Sequence, residues 1–111
     1  MQDRRQHPRI PCQIQVIVEG LPAPMAMTSR DISHGGVFLF SRAPRALNCE
    51  LDVTIQAGRD QVRARGLVVH HLAGVGFGVR FLEVSARDRD TLADFLEVHE
   101  RNAGATLEAA G

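Results

Sequence analysis

Apolar residues at every second position are the strongest constraint on what this chain can fold into. In QIQVIVEG (13–20), Ile14, Val16 and Val18 fall on one side, with Gln13, Gln15, Ile17 and Glu19 on the other. In ELDVTI (50–55), Leu51, Val53 and Ile55 repeat the pattern. A period of two belongs to half-buried β-strands, whose side chains alternate between faces. GVFLFS (36–41) is a short apolar run between a glycine pair and RAPR, and reads as a buried strand. MAMTSRD (25–31) reads as the strand before it, following an LPAP turn (21–24). QVRARGLVVHH (61–71) alternates Val62 and Ala64 with Arg63 and Arg65 until Gly66 breaks the phase, which predicts a bulge. AGRD (57–60) supplies the preceding hairpin turn. GFGVRFLEV (76–84) is the last strand, and its glycines predict curvature or close backbone approach.

The period then changes. Leu92, Phe95, Leu96 and His99 stand at i, i+3, i+4 and i+7, one face of a helix. Ser85 and Asp88 form a start signal and Gly104 a stop, so the helix is predicted over 86–102. Six short strands and one amphipathic helix predict a mainly β fold, a sandwich or a barrel, with the helix packed on one face or end. A length of 111 residues fits one small domain. Pro8 and Pro11 block helix near the start. The expected division is therefore a flexible N-terminal arm (1–11), a folded body (12–102) and a disordered tail (103–111).

The formal net charge is zero but unevenly spread. Residues 1–82 carry ten Arg and six acids, and residues 83–111 carry three Arg and seven acids. A body with so small a positive excess is not expected to bind DNA or RNA broadly, although a local anion site is compatible with it. All thirteen cations are arginine, each a planar fork suited to phosphate or a guanine edge. The charged N-terminus lacks the apolar core of a secretion signal, and no apolar run reaches membrane-spanning length. Membrane insertion is not expected, and a cytoplasmic location is. Cys12 and Cys49 form no CxxC pair and are expected to be reduced thiols. Adjacent strand residues such as His70 and His71 point to opposite faces, so no metal site is read from them. No Ser-His-Asp or Cys-His pairing is legible, so an enzyme is not expected, and no cofactor is called for.

Two short stretches carry the functional signal. RRQHPR (4–9) places Arg5 and Arg9 four residues apart, on what Pro8 makes an extended segment. An Arg-x-x-x-Arg pair is weak by itself, since about 1.5 are expected by chance at this composition. DISHGG (31–36) is far rarer. The pattern (Asp or Asn)-x-Ser-x-x-Gly is expected only about 0.03 times. Asp31 and Ser33 can bond backbone in a turn, and Gly35 and Gly36 allow a sharp bend that brings N–H groups near a ligand. An Asx-type turn between two strands would use the same residues.

The two motifs in this order resemble the PilZ domain family. Arg5 and Arg9 precede one strand and a turn, and Asp31, Ser33 and Gly36 close a second strand. GFGVRFLEV also resembles the family's last barrel strand, and the helix follows it; the resemblance covers roughly residues 4–100. It implies a six-stranded antiparallel β-barrel with a C-terminal α-helix. It also implies a receptor for the bacterial second messenger cyclic di-GMP. By that resemblance, Arg5 and Arg9 grip guanine edges and phosphates, Asp31 and Ser33 hold the other guanine face, and Gly36 leaves room for it. The chemistry agrees, since Arg pairs bidentately with guanine O6 and N7 and a phosphodiester needs N–H donors. Arg4, directly before the first motif Arg, implies two stacked ligand molecules per domain. For His71, beside His70, two readings stand: a ring stacked on guanine, or a polar strand end. The expected output is an arm that orders on ligand binding and a changed surface read by an unidentified effector protein, from a monomer or weak homodimer. The alternative is a PilZ-fold adaptor in pilus, motility or secretion machinery that needs no nucleotide.

Overall fold

The period-two segments pair into one closed antiparallel sheet. The structure is a computed structural model that describes residues 9–20, 23–42 and 46–110, with helix side chains described through Arg101. Residues 1–8 of the expected arm, positions 21–22 of the LPAP turn, 43–45 of RAPR and the last residue lie outside the described residues. Among the described residues seven strands precede one helix: β1 (Ile10–Pro11), β2 (Gln15–Glu19), β3 (Met25–Ile32), β4 (Gly36–Phe40), β5 (Glu50–Ala57), β6 (Asp60–Leu72), β7 (Gly76–Val84) and α1 (Ala86–Ala110).

Six of these strands make the barrel. β2 pairs with β5, β5 with β6, β6 with β7, β7 with β4, β4 with β3, and β3 closes the ring on β2, every pair antiparallel. The two-residue β1 continues the β2 side of β3, with Ile10 opposite Ile32 and Gln15 opposite Thr28. Between β1 and β2 the ladder is interrupted, and buried Ser29 fills the gap. Its hydroxyl donates to the Cys12 carbonyl at 2.5 Å and accepts from the Ile14 N–H at 3.0 Å. Closure leaves no long open edge among these strands, which removes the usual aggregation liability of a β-sheet.

The inward positions are those the alternation predicts. Val16, Val18, Leu51, Val53, Ile55, Val62 and Ala64 are buried together with Val37, Leu39, Phe77 and Val79. The predicted bulge at Gly66 is present, as a register shift between Arg65 and Gly66 against β7. A Cβ at Gly66 would stand 2.3 Å from the Val79 side chain, so glycine is required there by the approach of the two strands.

α1 starts where the sequence signals it. The Ser85 hydroxyl accepts from the Asp88 N–H at 3.1 Å, a side-chain cap. The Asp88 carboxylate in turn accepts from the Arg63 N–H at 3.0 Å, which ties the first turn to β6. Leu92 and Leu96 are buried in the core, and Phe95 packs against it with its ring 4.1 Å from that of His99.

Two boundaries differ from expectation. Ile10 is buried and paired with β3, so the chain is anchored from Ile10 and not from Cys12. One apolar side chain and two ladder positions suffice to dock the end of the arm. α1 also runs past Gly104 to Ala110. A helical glycine costs about 1 kcal/mol relative to alanine, and the alanine-rich stretch on both sides of it favours helix.

Phe77 fills the barrel interior and is fully buried. Phe77→Ala is expected to lower unfolding free energy by about 3–5 kcal/mol, read from the shift of a urea denaturation midpoint.

Candidate functional site

Residue parity along β3 determines which side chains reach the outer surface of the barrel. Met27 and Ser29 point inward, and a regular strand would send Asp31 inward as well. Instead the register against β4 shifts: Ser29 lies opposite Leu39, and Asp31 opposite Phe38. Arg30 is the extra residue of this bulge. Bulges re-aim side chains, and this one turns Asp31 onto the outer face beside Arg30 while Ile32 returns to the core.

A second shift falls in β6, between Val68 and His70 against β7. It leaves His70 opposite Gly78 and His71 opposite Phe77, whose ring is in the core. The bulge therefore sends His70 towards the outer face shared with Gly78, and His71 takes the other face at the exposed end of the strand.

Between the two bulges lies a groove of about 410 Å³, within the usual range of ligand pockets. Arg9, Arg30, Gly35, Gly36, Phe38, Val69, His70, Gly78, Val79 and Arg80 line it. Its floor is Phe38. This ring stands outside the barrel core and is nevertheless only 2% exposed. The Arg30 guanidinium covers it, 3.9 Å from the ring centroid, and the His70 ring lies 6.1 Å away at a tilt. Gly78 and Gly36 keep the adjoining strands free of side chains.

Asp31 organises the cations. Arg9 Nε donates to Asp31 Oδ1 at 2.6 Å, and Arg9 Nη2 lies 2.5 Å from the same oxygen. Arg30 Nε donates to the other oxygen, Oδ2, at 2.8 Å. Each carboxylate oxygen thus takes one arginine, and the Asp31 side chain is only 12% exposed. Two guanidiniums held by one carboxylate leave a net positive rim. Arg80 adds a third cation, without an ion-pair partner among the described residues.

The DISHGG turn is built by its own side chains. The Ser33 N–H donates to the Gly36 carbonyl at 2.8 Å, and the Gly35 N–H donates to the Ser33 hydroxyl at 3.1 Å. The Gly35 carbonyl accepts from Phe81, stitching the turn to β7. A Cβ on Gly36 would lie 2.4 Å from the Val79 carbonyl oxygen, a contact no side chain tolerates. In this structure, then, Ser33 shapes the turn and Gly36 lets β4 approach β7.

Of the residues singled out from sequence, the structure brings Arg9, Asp31, Ser33, Gly35 and Gly36 together. Arg4 and Arg5 lie outside the described residues, and His71 does not line the groove. Sequence reasoning missed Arg30, Phe38 and Arg80, and of the adjacent pair it singled out His71 where His70 lines the groove.

Elsewhere the chemistry is quieter. A depression of about 380 Å³ is lined by Glu19, Asp52, Arg63, Arg65 and Glu83. There Arg65 donates to Glu50 at 2.7 Å, and Glu50 and then Asp52 raise its pKa, so the charges answer one another. Cys12 and Cys49 are both free. Burial pushes the Cys12 thiol up and keeps it protonated, a poor nucleophile. Among the described residues no cluster of three or more His, Cys, Asp or Glu could hold a metal ion, and no helix is long and apolar enough to cross a membrane.

Three substitutions separate these roles. Ser33→Ala removes the Gly35 acceptor and is expected to cost about 1 kcal/mol. Gly36→Ala overpacks β4 against β7 and is expected to cost about 1–3 kcal/mol. Asp31→Ala leaves two guanidiniums without their counter-charge, with an expected loss of about 1–3 kcal/mol. Urea denaturation of each variant measures all three.

Comparisons with known proteins bear on the fold and the family. No curated protein matches the sequence. Among solved structures, the inhibitor of motility MotI/DgrA from Bacillus subtilis is similar, with a TM-score of 0.82 and 17% identity over 91% of this chain and 53% of that one. YcgR from Escherichia coli in complex with c-di-GMP gives 0.78 and 17%, over 97% of this chain and 51% of that one. The PilZ domain of CeSA from a cellulose-synthesizing bacterium gives 0.61 and 14%, over 86% of this chain and 97% of that one. This chain spans about half the length of MotI/DgrA and YcgR. At such identities the likeness is one of fold. The family model described as the PilZ domain matches residues 3–98, and the chain belongs to the PilZ domain family.

Proposed function

We propose that this chain is a receptor for cyclic di-GMP, which it binds in the groove over Phe38 and reports to a partner protein. The observation that carries the reading is the Arg9–Asp31–Arg30 cluster, set beside a glycine turn and an apolar floor. Guanine has a flat face and an edge whose O6 and N7 accept a bidentate arginine. A cyclic dinucleotide also carries two phosphodiester charges, for which Arg9 and Arg80 supply donors. The family supports the reading, and so does the fold likeness to YcgR, a protein solved with c-di-GMP.

In this reading Arg4 and Arg5, five and four residues before Arg9 in the sequence, complete the site when ligand binds. Arg5 joins Arg9 on the ligand, and Arg4 favours two stacked molecules per domain. Because Ile10 is already docked, ordering of the whole of 1–11 is not part of this reading. The signal is then a changed surface beside the groove. Phe40, Leu72 and Val75 are exposed where β4, β6 and β7 meet, and offer apolar contact area to a partner. The same patch favours the second reading, an adaptor that binds its partner without nucleotide. A partner pull-down that is unchanged by cyclic di-GMP selects that reading. The receptor reading involves no catalysis, so ligand incubated with the protein should be recovered intact.

Isothermal titration calorimetry tests the reading. The wild-type chain is expected to bind cyclic di-GMP. Arg9→Ala is expected to lose about 1–3 kcal/mol, or roughly 5- to 150-fold in affinity. Two ligands per chain would support the role given to Arg4, and unchanged affinity in Arg9→Ala would remove the groove from the account.

A further inference from the structure

We infer that Arg30 is a stacking platform, whose guanidinium rests on Phe38 with one face and receives a guanine base of the ligand on the other. The inference rests on the receptor reading above and adds to it a residue that neither sequence motif contains.

Its first support is orientation. Arg30 faces the groove side by the ordinary alternation of β3, and the bulge between Ser29 and Asp31 brings Asp31 beside it, where a regular strand would have separated the two. Its second support is fixation. Arg30 Nε donates to Asp31 Oδ2 at 2.8 Å, and the guanidinium carbon lies 3.9 Å from the Phe38 centroid, over the ring. One edge of the planar cation and its side towards Phe38 are therefore occupied. Its third support is what stays open. The Arg30 side chain is 43% exposed, and it lines the groove together with Gly35, Gly36 and Arg80.

A planar cation is attracted to a π face, and a purine presents one as readily as a phenyl ring does. A base entering the groove would complete a three-layer stack of Phe38, Arg30 and guanine. The platform is held in place before ligand arrives, so binding gives up little additional side-chain freedom there. Arg80 lines the same groove but makes no ion pair among the described residues, and it suits a phosphate as a charge and not as a fixed plane.

The test is calorimetry with cyclic di-GMP on the whole chain, comparing wild type with Arg30→Lys and Arg30→Gln. Lysine keeps the charge and can still pair with Asp31, but has no plane. Glutamine removes the charge. Both variants are expected to bind about 5- to 50-fold more weakly, with urea midpoints close to wild type. At saturating protein, the drop in guanine absorbance on binding should be smaller for Arg30→Lys than for wild type. A purely structural or electrostatic role would leave that drop unchanged. Wild-type affinity in Arg30→Lys would mean that only charge matters, and would overturn the platform. A wild-type chain that binds no cyclic di-GMP would instead overturn the receptor reading on which the platform depends.

Discussion

One carboxylate holds the groove together. Asp31 gives one oxygen to Arg9 and the other to Arg30, and each of those arginines comes from a different part of the chain. Arg9 arrives just before β1, and Arg30 is the bulge residue of β3. Like charges so close would repel without the acid between them. Partial burial of Asp31 strengthens the pairing relative to an exposed surface pair, whose net worth is close to zero. The position of the acid depends in turn on the bulge. Without the extra residue, Asp31 would face the barrel interior, where Ile32 now packs.

The barrel serves this arrangement by being closed and rigid. Its interior is filled from inward positions on all six strands, so the outer residues are held by a frame that does not need them. Two breaks in the ladders, at Arg30 in β3 and at Val69 in β6, lie on either side of Phe38. They turn Asp31 and His70 outward to the same groove as Arg30. Glycines at 36 and 78 keep the wall between them low. The chemistry is concentrated where the regular pattern fails.

That division explains what could be read from the sequence. The strands with apolar inward residues, such as Leu51–Ile55 and Val62–Ala64, announced both their class and their facing. The bulge at Gly66 was legible because glycine marks it. The bulge at Arg30 was not, because MAMTSRDI buries a polar Ser29 and so shows no clear phase to break. VVHH likewise carries no marker at Val69, and parity alone could not say that His70 and not His71 meets the groove. The start of α1 was written in Ser85 and Asp88, whereas Gly104 proved too weak a stop among alanines. Asp31, Ser33 and the glycine pair were visible as a motif. That Ser33 shapes the turn and Gly36 makes room for β7 follows only from the contacts around them.

The central claim is that cyclic di-GMP binds over Phe38, between the two bulges. It is tested most directly by following backbone amide resonances of labelled protein during titration with the nucleotide. The account predicts that the largest changes fall on Arg30, Asp31, Gly35, Gly36, Phe38, His70 and Gly78. Changes centred instead on the Asp52, Arg63 and Glu83 face, or no changes at all, would contradict it.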